Sequence, residues 1–308
     1  MTLDRRSFLL SAAAAGVAAH AGRAWAQPEK WRANPAGAGP TILKSLKFGM
    51  IGAGETVREK FELAKQAGFD GVELDSPSGL DLDEVIEARD AVGIAIPGVV
   101  DSAHWGKPFN HPDESVRAEG RAALETAIRD CKKVGGSTVL VVPAVVRQGM
   151  SYADAYRLSQ KEIGKLVPLA EELGVAIAFE NVWNNFLLSP LEAARYVDDF
   201  ESDHVGWYFD VGNIVNYAWP EQWIDVLGNR ILKLDVKEFS RTKRDNEGLW
   251  KGFGVEIGEG DCDWPAVREA LDRIGYRGWA SAEVGGGGAE RLADITRRMD
   301  QVLMFEGA

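Results

Sequence analysis

The stretch VGWYFDVGN, residues 205–213, decides the fold. It joins a short apolar run to an aspartate, which is the pattern expected where a fully buried parallel strand ends. The same pattern recurs along the chain, at intervals that leave room for a helix in between. It predicts strands at Leu46–Ile51, Gly71–Leu74, Ile94–Val100, Thr138–Val142, Val175–Phe179, Val205–Phe209, Ile231–Val236 and Trp279–Val284.

Amphipathic stretches separate these runs and predict helices. Glycine follows several of them, as at Gly68, Gly93 and Gly174, and glycine is a common residue just past a helix end. The predicted helices are Glu59–Gln66, Asp81–Val92, Ser115–Lys133, Tyr152–Leu173, Pro190–Asp199 and Pro265–Ile274.

Strands that alternate with helices form either a doubly wound sheet or a closed barrel. The glycines after the first strand lack the G-x-G-x-x-G spacing of a dinucleotide-binding sheet. Eight such units in about 260 residues fit a (β/α)8 barrel. We therefore predict the α/β class and a single-domain TIM barrel over residues 46–308.

The first 26 residues predict an export signal. Twin arginines, Arg5 and Arg6, precede an Ala-rich apolar run that closes with the cleavage pattern Ala24-Trp25-Ala26. A twin-arginine signal implies a periplasmic or secreted protein, and an ordinary secretory peptide is the alternative. The run is too short and interrupted for a membrane span, so none is expected in the mature chain. Residues 27–45, rich in Pro and Gly, are predicted to form a linker.

Composition limits the function. The chain has 35 basic and 47 acidic residues and a formal charge of -12, which disfavours nucleic acid as a partner. Its 2 cysteines and 4 histidines are too few for a disulfide framework or for a Cys-rich or His-rich metal site. Any bound metal must therefore rely on carboxylates.

Four consecutive predicted strands, the fifth to the eighth, each deliver a carboxylate at their end. In a barrel these ends form one mouth, so the four side chains should converge. Carboxylates at close quarters repel one another unless a cation lies among them, and an all-oxygen set suits Mn²⁺ or Mg²⁺. The alternative is that such acids cap the following helix or pair with arginine. The four residues are Glu180, Asp210, Asp235 and Glu283.

At these residues the chain resembles the sugar phosphate isomerase/epimerase family, the xylose isomerase-like TIM barrels, and among them the ketose 3-epimerases. The resemblance covers nearly all of residues 46–300. It implies a divalent-metal-dependent sugar isomerase or epimerase that transfers a proton next to a ketone through an enediolate, with a small carbohydrate as substrate. The motifs are FEN at 179–181, FDVGN at 209–213, LDVKE at 234–238, GEGDCDW at 258–264 and AE at 282–283.

The resemblance also implies roles for individual residues. The metal ligands would be Glu180, Asp210, Asp235 and Glu283, and the two glutamates would be the catalytic acid and base on opposite faces of the reacting carbon. At the third ligand the family usually has His where this chain has Asp235. Asn213 replaces a frequent His, and Arg241 matches a substrate-binding arginine.

Further residues are predicted to contact the substrate. Lys237 is a candidate for polarising the ketone oxygen, although a lysine after a strand is more often solvated or ion-paired. His104 and Trp105 are expected to line the pocket. Trp183 offers a flat face for sugar C–H groups, with loop packing as the alternative. The long loop over residues 240–260 is either a lid or a solvated excursion.

Other functions remain open at this point. The same metal and carboxylate pair could serve a lyase or hydrolase of 3-keto-glycosides. A non-catalytic periplasmic sugar-binding protein that has lost its metal would also explain Asp235 and Asn213. A nuclease would need several His ligands and a basic face, and the sequence has neither. The sequence leaves open whether the chain forms a homo-oligomer.

Overall fold

A computed structural model describes residues 42–303. Its strands run parallel and form a closed barrel in chain order, with β1 hydrogen-bonded to β8. This confirms the predicted single-domain TIM barrel. The strands are β1 Ile42–Lys47, β2 Gly71–Ser76, β3 Gly98–Asp101, β4 Thr138–Val141, β5 Ala176–Glu180, β6 Val205–Asp210, β7 Ile231–Val236 and β8 Gly278–Ala282.

Helices surround the barrel. Short 3-10 helices add Phe48–Met50, Gly228–Arg230 and Leu249–Phe253. None of the helices in residues 42–303 is both long and apolar enough to cross a membrane. The α-helices are α1 Val57–Gln66, α2 Leu82–Val92, α3 Glu114–Lys133, α4 Tyr152–Gly164, α5 Val167–Leu173, α6 Pro190–Asp198, α7 Val211–Val215, α8 Pro220–Leu227, α9 Arg241–Glu247, α10 Trp264–Arg273 and α11 Ala289–Leu303.

The first predicted strand was placed too late in the chain. β1 is Ile42–Lys47, not Leu46–Ile51, and it begins inside the predicted linker. Residues 42–46 pair with β8, and the chain then turns into a 3-10 helix at Phe48–Met50. The sequence obscures this strand because polar Ser45 and Lys47 interrupt its apolar run. The predicted export signal and the rest of the predicted linker lie outside the described residues.

The predicted helix Tyr152–Leu173 is two helices. α4 ends at Gly164, and α5 begins at Val167 with Pro168 in its first turn. Proline has no backbone N–H to donate to the preceding turn, so the chain breaks there and restarts. The ends of the remaining predicted helices lie within one or two residues of those observed, because the sequence contains recognisable capping residues at these ends. In α1, for example, Thr56 and Glu59 form a capping box.

The apolar core lies between the strands and the surrounding helices, and it includes Phe61, Trp207 and Met299. The inside of the barrel differs. It holds a small apolar cluster around Leu140 and Tyr208, and otherwise polar side chains that are buried, among them Glu73, Lys233 and Asp235. The barrel interior therefore contains buried charged side chains that continue to its mouth, at the carboxyl ends of the strands. We call Glu73, Lys233 and Asp235 the buried charged column.

Candidate active site

The mouth of the barrel brings four carboxylates together. Each of them offers one oxygen, and these oxygens all lie within 4.8 Å of one another. Three of the side chains are buried and Glu283 is half-buried. The predicted convergence of these residues is therefore present. The cluster consists of Glu180 and Asp210, which end β5 and β6, Asp235 within β7 and Glu283 just after β8.

Two asparagines fix Asp210 in place. The Asn181 amide donates to the Asp210 carbonyl at 2.6 Å, and its oxygen accepts from the Asp210 N–H at 3.0 Å. Asp210 also caps α7, because its Oδ1 accepts from the Asn213 N–H at 2.8 Å. Asn213 Nδ2 donates to the Asn181 carbonyl at 2.9 Å and lies 3.5 Å from Glu180 Oε1. These bonds leave Asp210 Oδ2 directed into the cluster.

Lys237 lies between two of the carboxylates. Its Nζ is 2.8 Å from Asp210 Oδ2 and 2.8 Å from Glu283 Oε2. The lysine is thus ion-paired at the place where the sequence suggested it could polarise a substrate oxygen. Both descriptions are compatible, because an ammonium held at this position also faces the cavity.

Lys47, which the sequence analysis missed, pairs with Asp235, another of the four carboxylates. Its Nζ lies 2.9 Å from Asp235 Oδ1 and 2.8 Å from Glu73 Oε2. At this position the resemblance described above implies a histidine, and Lys47 compensates the negative charge that Asp235 adds. In the predicted strand Leu46–Ile51 this lysine would lie near the amino end, away from the mouth, whereas it is the last residue of β1 and lies at the mouth.

Burial, mutual repulsion and the neighbouring lysines shift the pKa values of the four carboxyl groups in different directions. Burial, followed by repulsion from Glu283, raises the pKa of Glu180 well above its usual value. Burial raises the pKa of Asp210 to about 6, although Lys237 opposes the change, and burial also raises the pKa of Asp235. For Glu283 burial acts in the same direction, but Lys237 and Lys47 together outweigh it and lower the pKa. Without a cation, the raised pKa values of Glu180 and Asp235 mean that bound protons relieve part of the repulsion within the cluster.

The donor set fits a hard divalent cation. When all four carboxyl groups are ionised, they face two ammonium groups, which leaves a surplus of two negative charges for a divalent cation to balance. The ligands are all oxygen, which suits Mn²⁺ or Mg²⁺ better than softer ions. A cation among these oxygens would share Asp210 and Glu283 with Lys237. The described residues could therefore hold such an ion.

A cavity of about 700 Å³ opens above the cluster. Trp183 lies at the centre of its aromatic wall, with ring centroids 5.0 Å from Trp250 and 4.9 Å from Phe253. The Trp183 indole N–H donates to the Asn213 carbonyl at 2.9 Å, which fixes the ring. Four of the residues predicted to bind substrate line this cavity, namely Trp105, Trp183, Asn213 and Lys237.

The loop over residues 240–260 covers one side of this cavity. It contains α9 and the 3-10 helix with Trp250. Glu238 anchors its far end, because the carboxylate accepts from the N–H groups of Gly258 and Cys262 and from the Trp264 indole at 2.8–3.1 Å. The loop therefore lines one side of the cavity and is held by the hydrogen bonds of Glu238. Within it, Trp250 is exposed to solvent.

A second, smaller cavity of about 280 Å³ adjoins the first on the side of β1 to β4. The two cavities share Trp105, Glu180 and Glu283. The predicted pocket residue His104 lines the smaller one, where its Nδ1 accepts from the Val142 N–H at 3.3 Å. Burial lowers the pKa of His104 to about 3, so this imidazole is neutral at physiological pH.

Arg241, which the resemblance predicts to contact substrate, lies outside both cavities. Its guanidinium donates to the carbonyls of Val215 and Ala218 at 2.8 and 2.9 Å and lies over the Trp219 ring. These bonds tie the loop after α7 to α9. The cationic side chain at the cavity rim is instead Arg291 from α11, which the sequence analysis did not single out.

The sequence profile of the xylose isomerase-like TIM barrel family matches residues 61–301, and the chain belongs to this family. A curated relative, the L-ribulose-5-phosphate 3-epimerase of Escherichia coli O1:K1, is 27% identical over 255 residues, which cover 77% of this chain and 86% of that one.

Solved structures show the same fold. D-Allulose 3-epimerase from Methylomonas sp., in complex with D-allulose, has a TM-score of 0.70 at 16% identity and covers 86% of this chain and 98% of its own. The 3-keto-D-glucoside 4-epimerase of Escherichia coli also has a TM-score of 0.70 at 16% identity, with 85% and 98% covered.

Proposed function

We propose that this protein is a divalent-metal-dependent sugar epimerase or isomerase that moves a proton on the carbon next to a ketone. The observation that carries the proposal is the position of Glu180 and Glu283, which belong to one carboxylate cluster and line both cavities. A substrate that enters either cavity meets both carboxyl groups. The epimerases among the relatives support the same reaction class.

The roles of the residues follow from their chemistry. One of Glu180 and Glu283 removes the proton from the reacting carbon, and the other returns a proton, which inverts the centre or moves the carbonyl. Lys237 donates a hydrogen bond to the oxygen that gains negative charge. Asn213 and Asn181 hold the neighbouring carboxylates in place. A divalent cation bound by the cluster would supply Lewis-acid stabilisation of that oxygen.

A second candidate reaction uses the same groups. In a lyase or hydrolase of 3-keto-glycosides, proton removal beside the ketone would be followed by loss of the glycosidic substituent. The aromatic cavity of about 700 Å³ favours this candidate, because it has room for such a substituent beyond the reacting sugar. The structural similarity to a 3-keto-D-glucoside 4-epimerase is in keeping with it. Release of a free aglycone would distinguish this reaction from epimerisation.

The test is solvent exchange. Protein loaded with Mn²⁺ is incubated in D₂O with D-allulose, L-ribulose or methyl 3-keto-β-D-glucoside, and deuterium in the sugar is followed by NMR. We expect deuterium at the carbon next to the ketone in at least one sugar, accompanied by its epimer or isomer. Binding of these sugars without any exchange would instead support the non-catalytic sugar-binding protein.

A further inference from the structure

The smaller cavity contains a buried carboxyl oxygen with no partner. Asp101, at the end of β3, is fully buried and lines this cavity. Its Oδ1 accepts from the Ala103 N–H at 3.0 Å, whereas its Oδ2 has no hydrogen-bond partner. A buried carboxyl oxygen without a partner is costly, so such an atom at a cavity wall indicates a ligand that completes its bonding.

The neighbouring groups select against an anionic ligand. Two acids outside the carboxylate cluster, Asp75 and Asp101, line this cavity, and its only cationic lining side chain among the described residues is Lys47. Lys47 is already paired with Asp235 and Glu73. A phosphate placed here would meet carboxylates and no free cation.

The larger cavity offers no free cation either. Lys237 is paired with Asp210 and Glu283, as described above. Arg291 donates to Glu256 at 2.7 Å and also contacts Asp294 at 3.4 Å. The described cations that line the two cavities are thus all engaged by carboxylates, so both cavities favour an uncharged ligand.

We propose that the smaller cavity is a hydroxyl-binding subsite, in which Asp101 Oδ2 hydrogen-bonds a hydroxyl of a neutral, unphosphorylated sugar. The inference rests on the proposed function, because Glu180 and Glu283 mark the reacting carbon at the junction of the two cavities. The sugar carbons on one side of that centre then lie beside Asp101, and the remainder of the substrate faces the aromatic wall of the larger cavity.

The protonation of Asp101 is compatible with this role. Burial raises its pKa to about 7, so both forms are present near neutrality. The ionised form accepts a hydrogen bond and the protonated form donates one, and a sugar hydroxyl can take either part.

The experiment compares Asp101→Asn with Asp101→Leu in the full chain loaded with Mn²⁺. Asparagine keeps the bond to Ala103 and can still bond a hydroxyl, whereas leucine can do neither. For D-allulose, calorimetric binding and deuterium exchange are measured with wild-type protein and both variants. Wild-type protein is also tested with D-allulose 6-phosphate. This second measurement does not depend on whether the variants fold.

We expect Asp101→Leu to raise KM and Kd for D-allulose about 10- to 100-fold with a smaller change in kcat, and Asp101→Asn to restore most of the affinity. The 6-phosphate should bind at least about tenfold more weakly than the free sugar. Two results would overturn the subsite and leave the proposed function intact. One is deuterium exchange with an unchanged KM in folded Asp101→Leu, and the other is tighter binding of D-allulose 6-phosphate than of D-allulose by wild-type protein. Asp101-dependent binding without exchange would support the subsite and contradict the function, and absence of both would contradict both.

Discussion

Glu180→Gln is expected to lower the rate of deuterium exchange and of epimer formation roughly 10²- to 10⁴-fold, which is the usual contribution of a positioned acid or base. The amide has nearly the same shape as the carboxyl group, but it neither removes nor returns a proton. It also replaces one oxygen of the carboxylate cluster by NH₂. Because Glu180 is repelled by its neighbours, loss of its charge should leave the barrel folded.

The experiment measures exchange from each epimer separately. Glu283→Gln should lower the rate of interconversion to a similar extent, and the residual exchange in the two variants should be confined to opposite epimers, since each retains one base. Glu172→Gln is the matched control, because Glu172 is exposed on α5 and is not a member of the carboxylate cluster. Wild-type interconversion by either site variant would contradict the roles proposed for these two residues.

Glu73→Leu should destabilise the protein by about 3–5 kcal/mol, the usual cost of removing one partner of a buried ion pair. Glu73 and Lys233 are each 1% exposed and lie 2.8 Å apart inside the barrel. Glu73 also accepts from Lys47 and from the Tyr208 hydroxyl. Its loss leaves the Lys233 ammonium buried without a counter-charge, because no other carboxylate contact of Lys233 is present in the described residues.

Equilibrium unfolding in urea measures this effect. The double variant Glu73→Leu/Lys233→Met removes both charges and should recover most of the lost free energy of unfolding. As a surface control, breaking the exposed pair of Arg58 with Glu62 by Glu62→Gln should cost less than about 1 kcal/mol. A cost for Glu73→Leu no larger than that of the control would show that the buried charged column contributes little.

The fold was predictable because alternation of apolar runs with amphipathic stretches is a local property. The carboxylates of β5 to β8 were predictable for a related reason: each follows an apolar run directly, and parallel strands in a barrel end on one side. Helix ends with capping residues, such as Thr56 with Glu59, were also predictable from the sequence.

Other features depend on contacts between distant segments. Lys47 lies on a strand whose inward polar residues break the apolar pattern, and its partners Glu73 and Asp235 are 26 and 188 residues away. Arg241 matches a family position, yet its direction is set by the carbonyls of the loop after α7. The sequence shows Asp101 as an acid at the end of a predicted strand. Its unpaired oxygen and the cavity beside it, which together indicate a ligand, appear only in the structure.

Anomalous X-ray scattering tests most directly whether the four carboxylates bind a divalent cation. Crystals grown with Mn²⁺ are measured at the manganese absorption edge. We predict a peak among the oxygens of Glu180, Asp210, Asp235 and Glu283, which Glu180→Gln or Asp210→Asn would weaken. A map with no peak among these oxygens at saturating Mn²⁺, in which Lys47 and Lys237 alone neutralise the cluster, would contradict this binding.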